Sequence, residues 1–551
     1  MTELVAPVGI VGAGPVGLAC ALRLASFGIR SVVLEAEPTL RKQGSKACLI
    51  QGDVLEILDK FGCADCVDDE GVTWTVARTY VRGKEIVRKD YPRPLGYGPF
   101  VNISQYRVQQ LMLEELEEIP LTEVLWSHRV SDVEQDADGV TVRVETAYRT
   151  RHMRFRYLVA CDGVRSDLRD LVGVEWTGYT HADRFLITDI RAKLPLAAER
   201  HFHYDPPFNP GRQLVMHAQP DDMWRIDWQL PPDADIDEEE RTGALDRRIR
   251  AVIGDVPYEV DWRSTYRFYQ RLVEHMRVGR VFFAGDAAHA LPPYGARGMN
   301  SGIQDADNLA WKLAYVLSGY SDESLLDTYH AERQAAAREN LGVTEATIKF
   351  MVPAGRVRRG LRNLLLRLAL RVKPLRQHVN SGRMAEPYVY ADSPIVDSSR
   401  KHPLLGVLAP DREVVVDGTR TRLRRLFGRK LVVLYFAADP AAAARFVEQA
   451  GGQGFPAPTR LVVVLPAGSE APELQADGIA FETSPEGSSV YRTGDATWYL
   501  VRPDGHIAAA GDDEDAAGLA DVVAACSRAA ARAPAQAAQP VEASRLSVVR
   551  S

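Results

Sequence analysis

The segment Gly12-Ala13-Gly14-Pro15-Val16-Gly17 sets three glycines at G-x-G-x-x-G spacing, directly after an apolar run at residues 8–11 and at the head of a helical pattern over 15–27. Glycines so spaced let the backbone turn sharply and approach a pyrophosphate at a helix N-terminus. Glu35 ends the next apolar run, 18 residues past Gly17, where a carboxylate can accept from the ribose hydroxyls of an adenosine. The pattern predicts a bound dinucleotide, NAD or FAD, held by Gly12, Gly14, Pro15, Gly17 and Glu35.

Two later strand-like runs each end in an aspartate turn. Residues 157–161 lead into Asp162-Gly163-Val164-Arg165-Ser166-Asp167-Leu168-Arg169, and residues 280–284 lead into Gly285-Asp286-Ala287-Ala288-His289. Alone, Asp162-Gly163 reads as a tight turn, and His289 as an imidazole able to titrate near neutral pH. Cys63-Ala64-Asp65-Cys66 has the spacing of a metal or dithiol pair. It lacks a second ligand pair nearby and follows a helix ending at Gly62, so no metal site is expected.

These groups need a parallel sheet to position them. Strand (8–11), helix (15–27, with Gly28 past its end) and strand (31–35) make a βαβ unit. Residues 72–82 and 85–89 predict strands around Gly83, outside that sheet. Residues 184–271 alternate strand-like runs with Pro and Asp clusters, the pattern of an antiparallel sheet. On the run 224–230, which also carries Asp227, Trp224 and Trp228 share a face. They are candidate substrate contacts, although core packing accounts for paired aromatics more often. Helical spacing resumes over 302–317 with Gly319 as cap, and the Arg-rich stretch after 344 is helical at first, then irregular. Short strands at 431–436, 460–465 and 498–501 mark a separate C-terminal unit, and the Ala, Pro and Gln-rich residues 533–551 predict disorder.

A chain of 551 residues predicts three or four structural units. With 46% hydrophobic and 26% charged residues it has ample surface to bury, which excludes global disorder. Lys and Arg number 67 against 74 Asp and Glu, a formal charge of −7, so no basic excess points to nucleic acid. Six cysteines are too few for a disulfide framework and favour a reducing, cytoplasmic setting. The N-terminal residues lack a secretory pattern, and no run of 18 apolar residues predicts a membrane span.

Together the three ordered motifs, continued by Pro292-Pro293-Tyr294-Gly295-Ala296-Arg297-Gly298-Met299-Asn300 and Asp305-Ala306-Asp307-Asn308, resemble the class A FAD-dependent aromatic hydroxylases. That flavoprotein monooxygenase family is typified by p-hydroxybenzoate hydroxylase, phenol hydroxylase and 3-(3-hydroxyphenyl)propionate hydroxylase. The resemblance runs from the N-terminus to about Arg333. It implies FAD as cofactor, Asp286 on the ribityl chain, the loop from Pro293 through Arg297, Gly298, Met299 and Asn300 against the isoalloxazine, and Asp162 linked to pyrophosphate and NAD(P)H. Gln105 resembles the family's flavin-contacting glutamine. Lys46 stands where an arginine commonly reaches the FAD phosphates, and lysine loses the bidentate fork. Arg297 would favour anionic reduced flavin or a phenolate, and with Pro293 is the catalytic candidate, whereas His289 is expected to be a hydrogen-bonded scaffold residue.

The implied architecture is α/β: a Rossmann-like FAD-binding fold (1–71, 90–180 and 276–345) with an inserted, mainly antiparallel substrate sheet (72–89 and 181–275). A helical linker (346–402), a thioredoxin-like domain (403–530) and a disordered tail (531–551) complete it. Cys526 is the only cysteine of that C-terminal domain, which therefore cannot be a disulfide oxidoreductase. The expected reaction is hydroxylation of a phenolic aromatic through a flavin C4a-hydroperoxide, using NAD(P)H and O2, in a chain compatible with a homodimer. Two alternatives stand beside it: a same-fold flavin oxidoreductase acting on a polyketide or isoprenoid, and a non-enzymatic redox sensor.

Overall fold

The computed structural model describes residues 4–41, 47–93, 95–231, 233–353, 355–379, 382–452, 454–470, 476–483, 489–491 and 497–528. Lys46 and the tail 531–551 lie outside the described residues.

The first large sheet is mainly parallel. Its strands run in the order Arg277–Val278, Val281–Phe283, Thr150–Ala160, Leu4–Val11, Ser31–Leu34 and Thr122–Leu125, with the hairpin Arg129–Gln135/Val140–Glu145 added antiparallel to Thr150–Ala160. Val8, Ile10, Val33, Leu158, Val159 and Phe282 are wholly buried, as expected where helices and other layers cover both faces and the strands read as unbroken apolar runs. Helix Pro15–Ser26 starts with Pro at its first position, ends at Phe27 with Gly28 at φ 79°, and buries Leu18, Leu22 and Leu24. Burying each such leucine is worth about 1.5–3 kcal/mol.

The second sheet is antiparallel apart from one pairing. Its order is His289–Ala290, Glu259–Val273, Trp176–Arg191, Met223–Leu230, Gln213–Ala218, Arg200–Tyr204, Val76–Val81 and Lys84–Asp90, and only Arg200–Tyr204 and Val76–Val81 run parallel. The predicted break at Gly83 is a two-residue turn, Arg82 at φ 51° and Gly83 at φ 79°, the geometry of a type I′ hairpin. Residues 72–82 are not one strand. Val72–Trp74 leaves to pair with Phe100–Asn102, which also pairs with Leu49–Gln51, because the chain crosses between sheets at Thr75.

Two helices that periodicity did not indicate, Ile236–Arg241 and Ala244–Ile253, cover one face of this sheet through Ile236, Leu245 and Ile249. Asp235 caps the first by accepting from the Glu238 N–H at 3.0 Å. The long helix Arg297–Leu317 begins five residues before the apolar spacing does, since its first turn, Arg297 to Ser301, carries glycine and polar side chains.

The third sheet runs Thr419–Arg422, Glu413–Val416, Gly478–Glu482, Thr459–Leu465, Leu431–Phe436, Trp498–Val501, Ile507–Gly511. Leu431–Phe436 and Thr459–Leu465 are parallel and joined by helix Pro440–Gly451; the antiparallel hairpin Trp498–Val501/Ile507–Gly511 and helix Leu519–Ser527 follow. A buried ionic cluster docks this sheet on the helices behind the first. Glu332 accepts from Arg502 Nη1 at 2.6 Å, Lys312 Nζ at 2.7 Å and Asn308 Nδ2 at 2.7 Å, while Asp504 accepts from Trp311 Nε1 at 3.2 Å. Among the described residues, no helix is long and apolar enough to cross a membrane.

Candidate active site

Strands Leu4–Val11, Thr150–Ala160 and Val281–Phe283 are adjacent and parallel, so Gly12, Asp162 and Gly285-Asp286 emerge side by side at one carboxyl edge. That edge is where open α/β sheets bind their ligands. The glycines divide the labour. A Cβ on Gly12 (φ 105°) would sit 2.5 Å from the Cys161 carbonyl oxygen, and one on Gly17 would sit 2.0 Å from the Gly12 oxygen. Gly14 faces open space, the side from which a pyrophosphate would approach.

A cavity of about 200 Å³ opens there, lined by Ala13, Gly14, Glu35, Gln105, Gln109 and Trp126 among others. Glu35 Oε2 accepts from the Ala13 N–H at 2.8 Å and Oε1 from the Glu37 N–H at 2.9 Å, and each oxygen keeps a lone pair for a ribose hydroxyl. Gln105 Oε1 accepts from the Ala47 N–H at 3.4 Å. Gln109, one helical turn on and absent from the sequence reading, donates to the Ala13 carbonyl at 3.2 Å; its i+4 spacing from Gln105 is the signal by which it could have been found.

The two aspartate turns are stitched by one side chain. Arg169, the last residue of the first motif, donates to the Ala287 carbonyl at 3.0 Å, to Gly163 at 3.3 Å and to Val164 at 2.7 Å. Ser166 caps helix Asp167–Val172 from the same turn. Asp162 Oδ2 accepts from the Leu168 N–H at 3.1 Å while Oδ1 is buried and takes no hydrogen bond among the described residues, and burial pushes this carboxyl above its ordinary range. Asp286 is exposed at the edge.

Behind the second turn, His289 Nε2 meets Asp305 Oδ2 at 2.6 Å, the Gly285 N–H donates to the same oxygen at 3.0 Å, and Arg333 Nε donates to Asp305 Oδ1 at 2.6 Å. Burial alone would raise the Asp305 carboxyl, but His289 and Arg333 outweigh it and hold it below the usual range. His289 is therefore the scaffold residue expected from the motif.

In the loop that follows, Pro293 is exposed and Gly295 (φ 81°) and Ala296 (φ 53°) take left-handed backbone. A Cβ on Gly295 would lie 2.3 Å from the Arg383 carbonyl oxygen, so the 383–384 segment presses directly on the loop. Arg297 clamps that segment: buried, it donates to the Arg383 carbonyl at 3.1 Å, the Met384 carbonyl at 3.2 Å and the Asn340 side chain. It makes no ion pair among the described residues, and burial with Arg383 nearby lowers it to about 10. Asn300 joins the loop to strand Leu49–Gln51, accepting from the Gln51 N–H at 3.0 Å and donating to the Leu49 carbonyl at 3.0 Å. Gly298 and Met299 stay half-buried in the helix's first turn.

Across from this loop lies one face of the antiparallel sheet. Along it, Val215, His217, Asp227 and Tyr266 keep part of their surface, whereas Leu214, Met216, Trp224, Ile226 and Trp228 on the other face are buried. Trp224 and Trp228 pack with Leu245 and Ile249 under the covering helices, away from the crevice, which corrects their reading as substrate contacts. Cys63 and Cys66 are unpaired; the first is buried at a helix start and the second is exposed.

A parallel sheet whose carboxyl edge presents a glycine turn and two aspartate turns, beside the open face of an antiparallel sheet, is the framework on which open α/β folds hold a dinucleotide. Residues 5–344 match the family described as FAD binding domain, and residues 402–533 match the aromatic-ring hydroxylase C-terminal region. The chain belongs to this FAD-binding family of flavoprotein monooxygenases. A 3-(3-hydroxy-phenyl)propionate/3-hydroxycinnamic acid hydroxylase of Mycobacterium sp. (strain JLS) is 33% identical over 68% of this chain and 65% of its own length. The chain thus spans just under two thirds of that relative. Para-nitrophenol 4-monooxygenase of Pseudomonas sp. (strain WBC-3) is 31% identical over 64% of this chain and 89% of its own. Among solved structures, the OxyS anhydrotetracycline hydroxylase from Streptomyces rimosus superposes with a TM-score of 0.70 at 28% identity, over 96% of this chain and all of that one. FAD is the cofactor this family binds.

Proposed function

We propose that the chain is an FAD-dependent monooxygenase that hydroxylates a phenolic aromatic with NAD(P)H and O2. The observation that carries the reading is the stitched edge: Arg169 ties the Asp162 turn to the Asp286 turn, and His289, Asp305 and Arg333 brace the second of them against the flavin-loop helix. The residues fit FAD. Gly14, Glu35 and Gln105 line the adenosine end, the buried Asp162 Oδ1, without a hydrogen bond among the described residues, awaits a donor in the middle, and Asp286, Pro293 and the N–H groups from Gly298 to Asn300 serve the ribityl and ring end. FAD, when bound, supplies acceptance of hydride and activation of O2.

The chain's own contribution is position and charge. The start of helix Arg297–Leu317 and the Arg297 guanidinium put positive charge beside the loop, which favours an anionic ring or phenolate there. The region 72–89 and 181–275, whose strands from Val76 onward build the antiparallel sheet, takes the substrate, residues 346–402 act as linker, and 403–530 form a thioredoxin-like domain. The last assignment is supported by a βαβ unit followed by a ββα unit on one sheet.

A second reading, a polycyclic polyketide phenol as substrate, is favoured by likeness to the anhydrotetracycline hydroxylase over nearly the whole chain. The test is a panel of simple and polycyclic phenols with NADH and NADPH, followed by mass analysis. Turnover stimulated by a phenol, with one added oxygen in the product, is the expected outcome. Slow reduction that no phenol stimulates would leave only a redox-sensing role.

A further inference from the structure

We propose that Asp227 accepts the proton of the substrate's phenolic hydroxyl, on the open face of the antiparallel sheet opposite the flavin loop. This rests on the phenol-hydroxylase reading above. The O–H bond of the phenol breaks, the proton passes to Asp227 Oδ1, and the electron pair stays on the phenolate oxygen, which activates the ring without any oxidant at this step.

Register places Asp227 centrally. It pairs with Val215 on one side and Ile187 on the other, at the middle of strand Met223–Leu230. The residue keeps part of its surface on the face that carries Val215 and Tyr266, while its Oδ1 is buried and takes no hydrogen bond among the described residues. An orphaned carboxylate oxygen in a polar recess is poised for a ligand hydroxyl. The neighbour that would otherwise claim it is engaged: Arg225 grips Asp189 through two bonds, Nε to Oδ1 at 2.8 Å and Nη2 to Oδ2 at 2.7 Å.

The groups that face Asp227 come from every adjoining element. They are Arg225 on its own strand, Asp189 on Trp176–Arg191, His217 on Gln213–Ala218 beside Arg225, Arg200 on Arg200–Tyr204, Tyr266 on Glu259–Val273, and Cys48 just before strand Leu49–Gln51. Tyr294 of the flavin loop lies next to Tyr266 and 5.5 Å, ring to ring, from Phe268, so the recess and the loop share one crevice.

Their proton affinities sort the roles. Burial raises the Asp227 carboxyl to about 7, against the pull of Arg225, so near neutral pH it can take up or release a proton. Burial and Arg200 hold His217 neutral, down to about 3, too weak a base for a phenol. Burial pushes the Cys48 thiol up to about 12. Arg200 and Arg225 supply positive charge for the phenolate. The substrate class that fits is a phenol neutral in solution near pH 7.

The test uses FAD-loaded full-length protein and 3-nitrophenol, which stays largely neutral in solution at about pH 7.5 and whose phenolate absorbs visible light. At about pH 7.5, where Asp227 is largely ionised, the parent should develop the phenolate band on binding, without NAD(P)H. Asp227→Asn should bind within a few-fold of the parent without the band, with unchanged FAD content and circular dichroism, and Asp227→Glu should recover part of it. With the phenol that best stimulates NAD(P)H oxidation, product formation should fall about a hundredfold in Asp227→Asn, and the rise in rate through pH 7 should flatten. A phenolate band that persists in Asp227→Asn overturns the assignment. If 3-nitrophenol does not bind but another phenol turns over, an unchanged rise through pH 7 in Asp227→Asn overturns it instead. If no phenol binds or turns over, the parent reading fails and this one with it.

Discussion

Asp286 has no burial to lose, because it stands exposed at the end of the third motif strand, so its removal should act on the cofactor and spare the fold. Asp286→Ala is expected to weaken FAD binding by about 1–3 kcal/mol, the range for one hydrogen-bond partner to a polar ligand group. Fluorescence titration of FAD into the apoprotein measures this, with the apoprotein's melting temperature unchanged; equal affinity in parent and variant would move the ribityl contact elsewhere. Residues like this one are legible in sequence because close backbone approach restricts what can stand there: Gly12 and Gly17 abut carbonyl oxygens that would collide with any side chain. Asp227 was not legible as a site. Its strand was, but which face opens to the crevice depends on Ile236–Arg241 and Ala244–Ile253, whose polar, acidic and Arg-rich sequences mask the few apolar positions that cover the other face.

At the scale of elements, the flavin loop and the first turn of helix Arg297–Leu317 act as one piece, held by Asn300 to strand Leu49–Gln51 and by Arg297 to residues 383–384. The sequence showed the helix only from its apolar spacing at residue 302, since the preceding turn is built from glycine and side chains committed to loop contacts. Arg297 gives its hydrogen bonds to neutral oxygens, so its charge is not cancelled by a contact carboxylate among the described residues. Arg297→Met should therefore lower the midpoint potential of the bound flavin. The loss is on the order of 1–2 kcal/mol at effective dielectric ~20, or roughly 20–40 mV for a two-electron couple. Potentiometry on FAD-saturated protein reads the shift. A potential equal to the parent's would restrict Arg297 to clamping the 383–384 segment, a role that limited proteolysis would then expose.

At the scale of the whole molecule, the C-terminal sheet is joined to the flavin-binding part by buried charge rather than by apolar contact alone. Glu332 takes hydrogen bonds from Arg502, from Lys312 and Asn308 on helix Arg297–Leu317, and from Ser393, so three separate segments converge on it. Burial would raise the Glu332 carboxyl, yet Arg502 and Lys312 outweigh it and hold it below the ordinary carboxylate range. A depressed carboxyl stabilises the fold above the unfolded group's titration, near pH 4.5, and that contribution is lost as pH falls further. Arg502→Met strips Glu332 and Asp504 of their shared cation and leaves buried negative charge, which should destabilise by about 3–5 kcal/mol. Urea unfolding at pH 7 should show the C-terminal sheet melting before the flavin-binding part, against a closer coupling in the parent. Adding Glu332→Gln to Arg502→Met should recover part of the loss, because the stranded charge is then neutral. A single variant that unfolds within about 0.5 kcal/mol of the parent, inside the range of ordinary surface substitutions, would show that the sheet is docked by its apolar face and that the ion cluster is incidental to assembly.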